Sequence, residues 1–297
     1  MKTIKLILKI LRSYMVKEEI GFREYEKEYD KISETYKFWM NFMSGNTGKI
    51  IYPQAVRNYI SAKKEIKILD FACGTGFITS KLLGKLYDSK VEFKIDCVDV
   101  SSGMLEIAKK NIEDPRANFI HEDGLGYLNK NDEKYDLIYI GWAFPYFQNE
   151  TLLKLIHSNL KKGGIYSMIC NTRETLKGVE KAFIKLMSVF PQYVEKPMNI
   201  KNNLPINIKN LNRLLEKNGF KFVEGDAGVE KVKFQKAENL LEWLEKTGAI
   251  AGTREIFRVW NKDMEDELKK DLKKYCEDSD GILGANHSFV YGVYESV

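Results

Sequence analysis

The chain has 297 residues, of which 44% are hydrophobic and 30% charged, and 47 Lys and Arg against 42 Asp and Glu give a net charge of +5. This length and composition are typical of a soluble globular protein with a full hydrophobic core. The charge is mild and both signs are mixed along the chain, which argues against a nucleic-acid-binding protein. No apolar run reaches the length of a membrane-spanning helix.

The four cysteines lie far apart in sequence, at Cys73, Cys97, Cys170 and Cys276. They form no CxxC motif and no Cys/His cluster with the spacing of a metal site. We therefore expect reduced thiols, no bound metal and a cytoplasmic protein.

The chain begins with a basic amphipathic segment, residues 1–17. Ile4, Leu8, Leu11 and Met15 fall at helical spacing, and every charged side chain among them is positive. A signal peptide would need an unbroken apolar centre and a small-residue cleavage site. The pattern favours a helix docked on its own protein or on a second subunit of a homodimer, and contact with a membrane surface is the alternative.

Residues 18–62 are predicted to be mostly helical, because aromatic residues recur there at i, i+3 and i+4 among charged ones. Gly45, Gly48 and Pro53 interrupt this pattern. From Glu65 onward, apolar runs rich in β-formers alternate with helical patterns. The predicted strands are IKILDFA, EFKIDCVDV, ANFIHED, YDLIYIGWA and GIYSMICNT, and the predicted helices between them are GFITSKLLGKLY, SGMLEIAKKNI and LLKLIHSNL. This alternation predicts βαβ units and a parallel sheet that is buried on both faces.

The C-terminal half continues with a helix, an irregular segment containing three prolines, and the helix NIKNLNRLLEKNGF, which Gly219 ends. The strand FKFVEGD follows, then charged helices over residues 236–276 and a last strand, HSFVYGVYE. The predicted organisation is a helical cover (1–62), a sheet core (63–234), a helical lid insertion (235–285) and the last strand of the core (286–297).

A glycine-rich turn follows the first predicted strand. Gly74 and Gly76 open a helix whose N-terminal N–H groups favour an anionic or zwitterionic ligand. A dinucleotide fingerprint would have a third glycine where Thr79 stands. Asp70, at the end of the strand, suits an ammonium group better than a pyrophosphate.

Two further acids end the next two predicted strands. Ligands of open α/β sheets bind outside the carboxyl ends of the strands, where an acid such as Asp99 commonly pairs with ribose hydroxyls. Asp123 follows the third strand and could accept a hydrogen bond from an adenine amino group. An adenosine with an amino-acid tail would use both acids together with Asp70. That ligand is S-adenosylmethionine (SAM).

With these features, the chain resembles the class I SAM-dependent methyltransferases. Five stretches over residues 65–170 are similar to that family's successive motifs. They are ILDFACGTGF, DCVDVSSGMLEIAKKN, HEDGLGYL, YDLIYIGWAFPYF and LLKLIHSNLKKGGIYSMI. The resemblance implies an α/β fold with a doubly wound, mostly parallel seven-stranded (Rossmann-like) sheet, an N-terminal helical cover and a helical lid near the C-terminus. Phe77 stands where the family often has a third glycine, and KKGG replaces the usual Lys-Pro-Gly-Gly.

The resemblance also implies site residues. Asp99 would bind the ribose, Met104 would pack on the adenine, and Asp123 with the Gly124 backbone would read the adenine edge. The stretch YDKISETYKFW resembles the helix that covers the cofactor, although its two tyrosines could equally be core residues. The implied cofactor contacts are Tyr29, Tyr36, Asp70, Ala72, Gly74, Gly76, Asp99, Val100, Met104, Asp123, Gly124, Leu125 and Gly141.

On the substrate side, GWAFPYF offers an aromatic wall, and ENLLEWLEKTGA resembles the lid of malonyl-carrier-protein and trans-aconitate methyltransferases. Arg254 and Arg258, one helical turn apart, could clamp an anion, and His287 is either a base or a structural histidine. The expected substrate contacts are Trp142, Phe144, Tyr146, Arg173, Arg254 and Arg258.

The expected function is SAM-dependent methyl transfer to an oxygen, nitrogen or carbon atom of a small molecule or a carrier-bound acyl group, with S-adenosylhomocysteine (SAH) as the second product. The alternatives are an RNA or protein methyltransferase, which would use the basic N-terminus, and a non-catalytic SAM-binding partner subunit.

Overall fold

The computed structural model describes residues 22–195, 203–250 and 253–297. The basic segment 1–17 lies outside these residues, so the predictions made for it stay predictions. Within the described ranges, no helix combines the length and apolarity needed to cross a membrane.

Helices and strands alternate along most of the described chain. They are α1 (Phe22–Ile32), α2 (Lys37–Ile51), α3 (Gln54–Ser61), β1 (Glu65–Phe71), α4 (Phe77–Ser89), β2 (Glu92–Asp99), α5 (Ser102–Asn111), β3 (Ala117–His121), α6 (Gly124–Lys130), β4 (Tyr135–Gly141), α7 (Asn149–Asn159), β5 (Leu160–Asn171), α8 (Lys177–Val189), α9 (Ile208–Glu216), β6 (Phe220–Phe234), α10 (Ala237–Lys246), α11 (Lys262–Cys276) and β7 (Leu283–Ser296). Short 3₁₀ turns occupy Phe144–Tyr146 and Thr253–Ile256.

The strands form one seven-stranded sheet in the order β3-β2-β1-β4-β5-β7-β6. Strands β1 to β5 pair in parallel, and β7 runs antiparallel to β5. The sequence-based prediction of a doubly wound, mostly parallel seven-stranded sheet is therefore confirmed. The central strands β1 and β4 are buried along most of their length, as expected when helices cover both faces of a parallel sheet.

The register brings the ends of four strands to one edge of the sheet. Asp70 on β1 lies opposite Cys97 on β2 and Tyr139 on β4. Asp99, the last residue of β2, lies opposite His121, the last residue of β3. We call this edge, where β1, β2, β3 and β4 end, the ligand edge.

One helix and several strand ends differ from the sequence-based expectations, most of all at β6 and β7. The structure adds α6, directly after β3, where Asp123 caps the helix by accepting a hydrogen bond from the Gly126 N–H at 3.0 Å. Strand β6 extends to Phe234, and β7 begins at Leu283, earlier than expected. Gly225 lies on β6 where any side chain would meet the Tyr291 carbonyl oxygen, 2.3 Å from its Cβ position.

The chain divides into two compact units. Among the described residues, the sheet unit comprises 29–173, 203–228 and 289–297, and it contains β1 to β5 with α2 to α7. The helical unit comprises 22–28, 174–195, 229–250 and 253–288, in which α8, α10 and α11 surround a core of aliphatic and aromatic side chains. The four domain ranges expected from the sequence, including the lid at 235–285, stay predictions.

Candidate functional site

The turn after β1 reverses the chain through three left-handed residues, Ala72, Gly74 and Gly76, with φ of 55°, 55° and 75°. The Cys73 N–H donates to the Val98 carbonyl oxygen at 3.0 Å, which fastens the turn to β2. Gly76 stands at the N-cap of α4, so the positive end of this helix lies at the ligand edge. The turn thus places the positive end of α4 beside any ligand bound there, while the Gly76 N–H of the turn itself donates to the Cys73 carbonyl oxygen at 3.0 Å.

Asp70 is buried beneath this turn, with only 1% of its surface exposed. Its Oδ2 accepts hydrogen bonds from the Thr79 N–H at 3.2 Å and the Thr79 hydroxyl at 2.7 Å. Its Oδ1 is buried and has no hydrogen-bond partner among the described residues. Burial raises the pKa of this carboxyl to about 7, although the two bonds from Thr79 act in the opposite direction. A buried acceptor of this kind fits a donor from a bound ligand, such as an ammonium group.

Asp99 connects the glycine turn to the loop after β2. Its Oδ2 accepts from the Gly74 N–H at 2.7 Å, and its Oδ1 accepts from the Ser101 N–H at 2.9 Å. Burial raises the pKa of Asp99, whereas these backbone bonds favour its charged form. A carboxylate has about four lone-pair sites, so Asp99 still has capacity for two hydroxyl donors.

The predicted adenine contacts lie around the starts of α5 and α6. Met104 is 2% exposed on the first turn of α5, where its N–H donates to the Ser101 Oγ at 3.1 Å. Gly124 opens α6 with no space for a side chain, because a Cβ would come within 2.4 Å of the Phe71 ring. Asp123, the cap of α6, is partly exposed.

Three other predicted cofactor contacts lie at the ends of β2, β3 and β4 or in the loops after them. Val100 is partly exposed, and its carbonyl oxygen lies 2.7 Å from His121 Nε2. Leu125 packs against the core of the sheet unit. Gly141 ends β4, and a Cβ there would come within 2.9 Å of Ile78 Cδ1.

Aromatic side chains pack around Trp142, the residue that follows β4. Trp142 has a φ of 68°, an uncommon conformation for a residue with a large side chain. Its indole N–H donates to the Thr47 hydroxyl at 3.0 Å, and its ring packs edge-to-face on Trp39 and Phe289. These contacts hold Trp142 in a single orientation at the ligand edge.

Three tyrosines stand beside the glycine turn. The hydroxyl groups of Tyr29 and Tyr146 lie 2.5 Å apart, and Tyr29 packs edge-to-face on Tyr36 with 5.9 Å between ring centroids. A Cβ on Gly74 would come within 3.9 Å of Tyr36 Cε1. Burial raises the pKa of Tyr36, and the nearby Tyr146 and Asp99 raise it further, so its hydroxyl stays protonated. Tyr29, Tyr36 and Tyr146 are called the tyrosine cluster below.

Comparison with known proteins identifies the family of the chain. The model of the ubiE/COQ5 methyltransferase family matches residues 17–239. The chain belongs to the ubiE/COQ5 methyltransferase family. The sequence-based identification of a SAM-dependent methyltransferase is therefore confirmed.

The chain is also similar to two curated relatives and to one solved structure. The chain is 29% identical to malonyl-[acyl-carrier protein] O-methyltransferase 1 of Ilyobacter polytropus, over 80% of this chain and 82% of the relative. It is 27% identical to demethylmenaquinone methyltransferase of Leptospira interrogans, over 49% of this chain and 57% of the relative. A solved structure of a protein from Bacillus halodurans C-125, assigned as a methyltransferase, shares the fold with a TM-score of 0.53 and 15% identity, over 82% of this chain and 98% of that one.

The structure of this methyltransferase adds one residue to the site that sequence reasoning missed. Asp30 of α1 reaches the loop after β2, where its Oδ1 accepts from the Ser101 hydroxyl at 2.6 Å and from the Gly103 N–H at 3.0 Å. The only signal in the sequence was its place beside Tyr29 in the stretch YDKISETY. The identity of its partners depends on how α1 packs.

The predicted substrate contacts of the sheet unit differ in their surroundings. Tyr146 belongs to the tyrosine cluster, but Phe144 is fully buried in the core of the unit. Arg173 is exposed and binds the loop before α9, its Nε donating to the Leu204 carbonyl oxygen at 3.1 Å and its N–H to the Pro205 carbonyl oxygen at 3.0 Å. Arg173 therefore holds a loop in this structure.

The expectation that Arg254 and Arg258 lie one turn apart on a helix is wrong. Only Thr253–Ile256 is helical, as a short 3₁₀ turn, and Arg258 follows it at a bend. Arg254 pairs with Glu245 and lies over the Trp260 ring at 5.2 Å. The geometry of an arginine clamp on one helix face is therefore absent from this described segment.

His287 belongs to the helical unit and is 1% exposed. Its ring packs edge-to-face on Trp243, and its Nδ1 lies 3.5 Å from the Thr175 hydroxyl. Burial lowers the pKa of His287 to about 3, so the ring is neutral at physiological pH. A group with so low a pKa is a weak general base, and its catalytic role stays a prediction.

Proposed function

We propose that this methyltransferase binds SAM along the ligand edge. Asp70 lies near the end of β1, Asp99 ends β2 and Asp123 comes two residues after β3, and these ends of neighbouring parallel strands are the observation that carries the proposal. Their order across the sheet corresponds to a ligand with an ammonium group, a ribose and an adenine in that order. The buried Oδ1 of Asp70 supports this order, because it has an unused acceptor for the ammonium group.

SAM supplies a methyl group on a sulfonium, which is already a good leaving group. The work left to the chain is alignment and exclusion of water. The positive end of α4, which Gly76 caps, would attract the carboxylate of the amino-acid tail, while Asp99 fixes the ribose. The tyrosine cluster stands beside the glycine turn, where it would shield the sulfonium from water.

We further propose that the acceptor is the carboxylate of a carrier-bound acyl group. A relative that matches most of both chains is named a malonyl-[acyl-carrier protein] O-methyltransferase. A carboxylate is ionised at neutral pH, so its oxygen can attack the methyl carbon without a general base. The oxygen–carbon bond forms as the carbon–sulfur bond breaks, and no proton moves. The products are a methyl ester and SAH.

Relatives named demethylmenaquinone methyltransferases support a second candidate, the aromatic ring of a reduced quinone. Methylation of a ring carbon requires loss of a phenolic proton, and hence a general base or a raised pH. The two acceptors therefore differ in their pH dependence. Ester formation should be nearly constant from pH 6 to pH 9, whereas ring methylation should increase with pH.

The test begins with a calorimetric titration of the full chain with SAH, and absence of binding would reject the proposed cofactor site. The protein is then incubated with methyl-labelled SAM and either malonyl-acyl carrier protein or a reduced demethylmenaquinone. Label on the carrier protein that mild alkali releases as volatile methanol, the alcohol of a methyl ester, would support the first acceptor. Alkali-stable label on the quinone would replace it with the second.

A further inference from the structure

We propose that Asp30 is a positioning residue that couples the tyrosine cluster to the ribose-binding loop. This inference rests on the cofactor site proposed above and assigns Asp30 a role through its bonds to other residues. It starts from a series of hydrogen bonds within the sheet unit. Asp30 Oδ1 accepts from the Ser101 hydroxyl at 2.6 Å, the Ser101 N–H donates to Asp99 Oδ1 at 2.9 Å, and Asp99 Oδ2 accepts from the Gly74 N–H at 2.7 Å.

The position of Asp30 also stabilises the start of α5. Ser101 caps this helix by accepting from the Met104 N–H, and Asp30 accepts from the Gly103 N–H at 3.0 Å. Two free N–H groups of the first turn therefore have partners, and a carboxylate stands at the positive end of the helix dipole. Without Asp30, Gly103 would lose its acceptor and the Ser101 hydroxyl would lose the partner that orients it.

The approach of α1 to this loop is close. A Cβ on Gly103 would lie 3.1 Å from Ser33 Oγ and 3.2 Å from Asp30 Oδ1, so no other residue type fits there without movement. Gly103 and Asp30 therefore fit each other in size, although 73 positions of sequence separate them. This packing makes the loop after β2 sensitive to the placement of α1.

Tyr29, the neighbour of Asp30 on α1, makes a contact on the other side of the glycine turn. Tyr29 bonds through its hydroxyl to Tyr146, which follows β4, whereas Asp30 bonds to the loop that follows β2. Strand β1 and the glycine turn lie between these two strands in the sheet. Two consecutive residues of α1 thus contact both sides of the glycine turn. Ordering of the tyrosine cluster and ordering of the Asp99 loop should then occur together.

The test compares three variants of the full chain by SAH titration. Asp30→Ala removes both acceptor bonds and should weaken SAH binding about five- to thirtyfold, the range expected for loss of a helix cap. Asp30→Asn keeps an oxygen acceptor in the same place and should bind within about threefold of the wild type, because a neutral oxygen can accept both bonds. Glu34→Ala, an exposed acid four residues further along, is the matched control and should bind as the wild type does.

Hydrogen exchange in the wild type tests the coupling without a mutation. SAH should slow exchange in residues 29–36 and 99–105 to a similar degree. Protection of 99–105 alone, or wild-type affinity in a folded Asp30→Ala protein, would overturn the role of Asp30. Failure of the wild type to bind SAH is a different result: it rejects the proposed function and this inference with it.

Discussion

The Asp99 carboxylate accepts a hydrogen bond from the Gly74 N–H, with 2.7 Å between the two heavy atoms. This bond joins the end of β2 to the turn after β1, so the acid assigned to the ribose also holds the glycine turn. The same carboxylate accepts from the Ser101 N–H. Asp99 therefore has a structural role beside the ribose-binding role proposed for it, and substitution can separate the two.

Replacing Asp99 by Ala should weaken SAH binding about a hundredfold or more, because two ribose hydroxyls and two backbone N–H groups lose a charged acceptor. Asp99→Asn should weaken SAH binding less, since its amide oxygen can still accept a hydrogen bond from the Gly74 N–H. Calorimetry with SAH measures both affinities, and Asp88→Ala, an exposed acid on α4, serves as the control. Unchanged affinity in a folded Asp99→Ala protein would refute the assignment of Asp99.

The sheet and its strand-end acids could be predicted from the sequence because local pattern encodes them. Strands that are buried on both faces are almost continuously apolar, and their periodicity needs no knowledge of partners. Asp70 and Asp99 stand at the ends of such runs, so their common edge follows from parallel pairing alone.

The remaining features depend on tertiary contacts or on short segments. Helix α6 was missed because the seven residues Gly124–Lys130 include two glycines, which have low helix propensity. The bond between Asp30 and Ser101 joins residues 71 positions apart, and periodicity identifies a helix face but not its partner. The spacing of Arg254 and Arg258 predicted that both side chains lie on one face of a helix. The short 3₁₀ turn there ends at Ile256, and the spacing of two arginines does not show where a helix ends.

Asp70 should make the stability of the ligand-free protein depend on pH. Burial raises its folded-state pKa to about 7, well above the value near 4 of an unfolded chain. The folded state therefore binds this proton more tightly, and the free energy of unfolding should decrease as pH rises from about 4 to 7, by up to roughly 4 kcal/mol. Urea denaturation across this range should show the decrease in the wild type and a smaller one in Asp70→Asn. Equal slopes in the two proteins would contradict the raised pKa.

The hydroxyl bond between Tyr29 and Tyr146 should contribute to cofactor retention. Tyr29→Phe and Tyr146→Phe each remove one side of the bond and should weaken SAH binding about three- to fivefold, the effect of a neutral hydrogen bond. The double variant should lose less affinity than the sum of the two single losses, because both substitutions remove the same bond. Tyr193→Phe, in the helical unit, is the control for loss of a hydroxyl. Additive effects of the two substitutions would show that the hydroxyl groups act separately.

Gly76 and Gly84 provide a matched pair for testing the glycine turn. Gly76 has a φ of 75°, and a Cβ there would come within 2.6 Å of Ile112 Cδ1 and 3.2 Å of the Ala108 Cβ. Gly76→Ala should therefore destabilise the fold by about 1–3 kcal/mol, through backbone strain and overpacking. Gly84 lies within α4 with nothing within 4 Å of its Cβ position, so Gly84→Ala should stabilise the protein by about 0.5–1 kcal/mol. Chemical denaturation of the two variants gives both values, and a Gly76→Ala protein as stable as the wild type would show that the turn can relax away from α5.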